Sequence, residues 1–172
     1  PGGSSPPTSA AISPEGAAFL AENAKKPGVK VTPSGLQYRI VRSGPQAGLK
    51  PKRGDDIKIN YEGSLLNGTV FDSTYETGVP RVMPLNGLVE GWMEALPMMR
   101  PGDEWELWIP PELGYGDGSG DGTIPPGAVL HFRVELIDSL VQFRKVNFQI
   151  LSRCQGVGFE LLHWHAPRLL RK

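Results

Sequence analysis

Several stretches of this chain carry residue types able to do chemistry, and most of them fail on spacing. Asp117, Ser119 and Asp121, followed by Gly122 and the aliphatic Ile124, copy the first eight positions of an EF-hand loop. Position 12 of such a loop needs a bidentate Glu but falls on Ala128, and Pro125-Pro126 would block the exit helix. The two aspartates would also repel a phosphate, so this glycine-rich stretch is not a nucleotide loop but a mobile border to some other site. His163 and His165, with Cys154, offer nitrogen and sulfur to a zinc ion, yet no further fixed ligand accompanies them. No Gly-x-Ser-x-Gly elbow, Cys-x-x-Cys pair or coupled His and nucleophile is present. What remains is a series of aromatic and branched apolar groups: Tyr61-Glu62-Gly63, Val70-Phe71-Asp72-Ser73, Leu88-Val89-Glu90-Gly91-Trp92, Leu113-Gly114-Tyr115-Gly116, Ile124-Pro125-Pro126 and Leu130-His131-Phe132. Taken singly, each aromatic reads as a core residue.

The elements that must position these groups are mostly strands. Leu36, Tyr38 and Ile40 alternate with polar neighbours, as do Ile57, Ile59 and Tyr61, then Trp105, Leu107 and Ile109, then Leu130, Phe132, Val134 and Leu136. Trp108 breaks the third of these by placing an indole on an otherwise polar face. Val89, Trp92, Met93 and Leu96 fall at i, i+3, i+4 and i+7, the stripe of a short helix that Pro97 should end. Strands with one wet face and a single core helix imply an α+β fold in which an antiparallel sheet curls around that helix. A second short helix begins at Ser13, a good N-cap, with Pro14 at its first position, and stops at Pro27-Gly28. Phe19 and Leu20 are its only large apolar groups, so it should dock weakly or mediate self-association.

Composition agrees with one domain and flanking segments. The chain has 172 residues, enough for one core and too few for two full ones, and its 22 glycines and 17 prolines suit a loop-rich sheet protein. Net charge is zero, so no global field argues for nucleic acid. The charge is unevenly spread: residues 140–172 carry 6 basic and 1 acidic side chains and form a basic tail of unassigned role. Residues 1–27 read as a flexible leader plus the short helix, and 28–139 as the domain proper. The one cysteine excludes an intrachain disulfide, and no apolar run is long enough for a transmembrane helix. No targeting segment is legible.

In order and spacing the six landmarks resemble the FKBP-type peptidyl-prolyl cis/trans isomerases, the macrolide-binding immunophilins. The resemblance implies an FKBP-like fold and an apolar pocket that accelerates rotation of X-Pro bonds without cofactor or metal. By it, Trp92 is the floor under the prolyl ring, Tyr61, Phe71 and Phe132 are aromatic walls, and Leu88, Val89 and Ile124 are aliphatic ones. It further implies that Val89 gives its backbone N–H to a ligand carbonyl, Tyr115 its hydroxyl to another, and Asp72 a carboxylate contact near the twisting bond. Where the family often has a pocket phenylalanine ahead of the helix, this chain reads Pro80-Arg81-Val82-Met83-Pro84, so no residue is assigned there and altered affinity for bulky ligands is expected.

Implied partners are proline-containing peptides, unfolded proteins and the family's macrolide inhibitors. The run Ala24-Lys25-Lys26-Pro27-Gly28 and then Thr32-Pro33-Ser34-Gly35-Leu36-Gln37-Tyr38 is similar to the connection in bacterial cell-envelope members related to the macrophage infectivity potentiator. That branch implies a periplasmic or envelope location, with the cytoplasm as alternative, and leaves both monomer and dimer open. The rival reading is a non-catalytic module that holds proline segments, or acts as a chaperone, in the same cleft.

Overall fold

The computed structural model describes residues 11–140. Most of the leader and nearly all of the basic tail, with Cys154, His163 and His165, lie outside the described residues.

Seven strands form one antiparallel sheet in the order β1-β2-β6-β7-β3-β4, with β5 also paired to β3. Its centre is β3 (Asp56–Leu65), β6 (Glu104–Ile109) and β7 (Leu130–Leu140), whose strict alternation sends one set of side chains inward. Ile57, Ile59, Leu107, Ile109, Leu130, Val134 and Leu136 are fully or almost fully buried there. The outer strands are β1 (Val29–Val31), β2 (Gln37–Arg42), β4 (Val70–Ser73) and β5 (Arg81–Pro84). Register shifts in β3 between Lys58 and Ile59, and between Gly63 and Ser64, add the local twist that curls a sheet.

The inward face closes on α2 (Glu90–Ala95), which buries Trp92, Met93 and Ala95. The α-helix stops before Pro97, as its ring demands, and tightens into a single 3₁₀ turn, Leu96–Met98. Gly91 lets this helix lie close to β6: a Cβ there would stand 2.7–2.9 Å from three side-chain atoms of Ile109.

Two details depart from the sequence expectation. Ile40 is 40% exposed, next to a register shift of β2 against β6 between Ile40 and Arg42. The first helix, α1 (Pro14–Asn23), is capped by Ser13 as expected, leaves Phe19 and Leu20 half-buried, and also makes polar contacts to the body that the sequence did not announce. Asn23 Nδ2 donates to Gln37 Oε1 at 3.0 Å, Gln37 Nε2 donates to the Leu20 carbonyl at 2.8 Å, and Ser13 N donates to the Gly127 carbonyl at 3.0 Å. Gln37 is the cross-strand partner of Trp108, and Trp108 of His131, so α1 borders an outward row in which the indole stacks on the imidazole at 5.4 Å. That explains how a tryptophan on the polar face is only 6% exposed.

Candidate active site

Between α2, the inward face of the sheet and the loops after β5 and β6 lies a cleft of about 480 Å³. Its walls include all nine residues singled out from the sequence: Tyr61, Phe71, Asp72, Leu88, Val89, Trp92, Tyr115, Ile124 and Phe132. Four separate elements bring its aromatic rings together. Trp92 comes from α2, Tyr61 from β3, Phe71 from β4 and Phe132 from β7. The indole meets Tyr61 edge to face at 5.0 Å between centroids and Phe132 at 5.1 Å, while Phe71 meets Phe132 at 5.5 Å. Such T-shaped contacts set the positive edge of one ring against the negative face of the next, at about 0.5–1.5 kcal/mol each.

The cup depends on a missing side chain. Gly63 lies directly opposite Phe132 in the ladder, and a Cβ on it would fall 2.5 Å from Phe132 Cε1 and 2.7 Å from Phe71 Cζ. The rings occupy the volume that any other residue would claim.

Polar side chains share the lining, among them Asp72, Arg81, Ser119, Asp121 and Thr123. The Tyr61 hydroxyl donates to Asp72 Oδ2 at 2.5 Å, and Arg81 Nη1 donates to the same hydroxyl oxygen. Arg81 Nη1 is also 3.4 Å from Asp72 Oδ2, and its guanidinium stands 5.3 Å from the Tyr61 ring centroid. Burial, then the hydrogen bond to Asp72, push the Tyr61 phenol well above its usual pKa, so it remains neutral and donating. Val89 is the residue that begins α2; its carbonyl accepts from Trp92 N and Met93 N, whereas its own N–H precedes the helical ladder and is free of it. Tyr115, 44% exposed, stands at the rim.

Arg81 and Met83 also line the cleft, in the segment to which the sequence reading assigned no pocket residue. No local signal in the sequence marks Arg81, whereas Met83 is an apolar residue in a short strand. Ser119, Asp121 and Thr123 contribute from the glycine-rich loop. That loop is cross-linked to itself. Ser119 Oγ donates to Asp121 Oδ1 at 2.5 Å, Thr123 N donates to the same oxygen at 2.9 Å, and Ile124 N donates to Ser119 Oγ at 2.8 Å. These bonds, Ser119's first, lower the Asp121 carboxyl to about 2. Among the described residues no group of three or more His, Cys, Asp or Glu side chains is placed to hold a metal.

A small sheet closes on one helix and opens into a cleft with aromatic rings at its base and polar side chains in its lining. The family model for FKBP-type peptidyl-prolyl cis-trans isomerase matches residues 48–137, and that for the domain amino terminal to it matches residues 8–40. The chain belongs to the FKBP-type peptidyl-prolyl cis-trans isomerase family. It is 48% identical over 120 residues to the peptidyl-prolyl cis-trans isomerase Mip of Coxiella burnetii, a match covering 70% of this chain and 51% of that protein. It is 44% identical over 123 residues to the outer membrane protein MIP of Legionella longbeachae, covering 72% and 52% respectively. The chain thus spans about half the length of these curated relatives. A solved peptidyl-prolyl cis-trans isomerase from Pseudomonas syringae pv. tomato superposes with a TM-score of 0.68 at 34% identity, covering 80% of this chain and 99% of that one.

Proposed function

We infer that this chain catalyses cis/trans isomerisation of X-Pro peptide bonds in peptides and unfolded proteins. The observation that supports this most directly is the convergence of Tyr61, Phe71, Trp92 and Phe132 on one cleft of about 480 Å³. Rotation about a peptide bond faces a barrier of ~18–20 kcal/mol because twisting destroys amide resonance. The planar amide is more polar than the twisted one. A water-poor aromatic cup therefore favours the twisted form over the planar one, and only such differential binding accelerates the step.

In this reading the prolyl ring rests on the Trp92 indole, edged by Tyr61, Phe71 and Phe132, with Leu88, Val89 and Ile124 closing the aliphatic sides. The Val89 N–H and the Tyr115 hydroxyl hold the carbonyls that flank the turning bond. Asp72, its carboxylate steadied by the Tyr61 hydroxyl and Arg81, faces the amide as it loses planarity. The family's macrolides would compete for the same cup. An envelope location is the corresponding proposal for place, supported by the name of the Legionella longbeachae relative.

The test is the exchange rate of a short X-Pro peptide with the parent protein and with Trp92→Ala and Tyr115→Phe variants. The parent should accelerate exchange clearly, and Trp92→Ala should lose most of that acceleration. Acceleration that neither substitution changes would place the site elsewhere, and peptide affinity without any acceleration would leave a binding module.

A further inference from the structure

The chain has four methionines, and their surroundings differ. Met93 and Met99 are closed in the core at 4% and 0% exposure, and Met98 is half-buried in the turn after α2. Met83 is the one that lines the cleft. Alternation along β5 sets it opposite the fully buried Ile57 of β3, so its side chain takes the inward side, while the neighbouring Val82 is 55% exposed. The thioether is thus half-buried: it packs on the core and also forms part of the cleft wall, within reach of small solutes. A phenylalanine, which the family often carries in this segment, has no such oxidisable atom.

Methionine suits an apolar wall because its sulfur is soft and weakly hydrated. Its sulfoxide is polar and chiral, and reductases can reverse the change. A ligand that covers the oxidised wall must strip water from the new oxygen, at a cost the thioether does not impose.

We propose that Met83 is a redox-modification site of the cleft: a hydroperoxide converts its thioether to the sulfoxide, and the cleft loses affinity for apolar, proline-containing ligands until the sulfoxide is reduced. The assignment deepens the isomerase reading above and rests on it. The sulfur lone pair attacks one peroxide oxygen, so that an S–O bond forms and the O–O bond breaks. The departing hydroxide takes the proton of the transferred hydroxyl and leaves as water. Sulfur is oxidised by two electrons and the peroxide is reduced by two.

The experiment treats the parent, Met83→Leu and Met98→Leu proteins with hydrogen peroxide. Each carries Cys154→Ser, so that the thiol does not enter. Mass spectrometry of peptide fragments follows oxygen uptake, and the X-Pro exchange rate is compared with the same protein's untreated rate. Met83 should gain its oxygen well ahead of Met93 and Met99. The rate of the parent should then fall roughly fivefold or more, the low end of what burying an unmatched polar group costs. Met98→Leu should lose as much, Met83→Leu should keep most of its own rate, and the two stereospecific methionine sulfoxide reductases should restore the parent. Oxidation of Met83 no faster than that of Met93 and Met99, a rate unchanged by it, or an equal loss in Met83→Leu overturns the assignment. If Met83→Leu does not fold, the match in the parent between Met83 sulfoxide and lost rate, and its reversal by the reductases, decides the matter. Should the untreated parent accelerate no peptide, the isomerase reading fails by itself. Calorimetric affinity for the same peptide then replaces the rate, by the same criteria, and no binding overturns the role of Met83.

Discussion

Tyr61 and Asp72 are joined by a 2.5 Å hydrogen bond that separates the two characters of the cleft. On one side of it the phenol ring packs on Trp92 and Phe132; on the other lie the side chains of Asp72 and Arg81. A tyrosine does what a phenylalanine would do for the cup and also anchors a carboxylate beside it.

Removing the hydroxyl by Tyr61→Phe should leave the ring packing intact and cost about 0.5–1.5 kcal/mol, the usual net worth of one hydrogen bond. Burial of the phenol, with this bond second, makes stability fall in alkali. The folded phenol keeps its proton above the ordinary tyrosine value of 10.0, while the unfolded chain releases it near that pH. The unfolded state then binds fewer protons, so stability is complete below about pH 10 and declines as the pH rises beyond it. Denaturant midpoints at pH 9 and pH 11 should differ less in Tyr61→Phe than in the parent. Tyr75, also raised chiefly by burial, should supply a remaining slope.

Gly63→Ala should damage the cup directly. The added Cβ would meet Phe132 and Phe71 at 2.5 and 2.7 Å, so one or both rings must leave their places. Overpacking of this kind costs about 1–3 kcal/mol. A lowered melting temperature together with loss of peptide or macrolide affinity is the expected pair of results. Unchanged affinity would mean that the rings can shift without deforming the cleft.

Much of this arrangement was legible because period-two alternation is a local signal. Ile57, Ile59 and Tyr61 of β3, and Leu130, Phe132, Val134 and Leu136 of β7, announce their inward face without knowledge of the partner strands. The short helix carrying Trp92 was equally plain, with its end marked by Pro97. Arg81 was not, since a charged residue in a short strand bounded by prolines reads as solvated surface until Tyr61 and Asp72 are brought to it from other strands. Nor was the docking of α1, which relies on Asn23 and Gln37 meeting across the fold, where hydrophobic patterning is silent. Ile40 misled for the opposite reason: the alternation is present, yet the residue stands next to a register shift of an outer strand and stays 40% exposed.

The seating of α1 gives a further prediction. Gln37 bridges the buried Asn23 side chain and the Leu20 carbonyl, so Gln37→Ala leaves the buried Asn23 Nδ2 without its partner, while the Leu20 carbonyl keeps Ala24 N. Unpaired buried groups cost about 1–3 kcal/mol each. Hydrogen exchange should show faster opening of residues 14–23, with the amides of β3 and β7 little affected. Equal acceleration in β3 and β7 would mean that α1 and the sheet unfold as one unit.

His131 ties this outer face to pH. Its ring is stacked on Trp108, with Nε2 3.4 Å from Glu106 Oε1, within ion-pair reach though not aligned as a hydrogen bond, and Nδ1 3.5 Å from Ser64 Oγ. Desolvation lowers its pKa and outweighs the opposing pull of Glu106, while Arg39, which is also paired to Glu106, lowers it further. The unfolded chain therefore takes up the proton at a higher pH than the folded one. Stability from the neutral ring is complete above about 6.5 and is lost as the pH falls through the lower folded value. Urea midpoints measured at pH 7.5 and pH 5.5 should fall on acidification in the parent and fall less in His131→Gln, which retains hydrogen-bonding capacity toward Ser64 and Glu106. An equal fall in both would assign the acid sensitivity to groups other than His131.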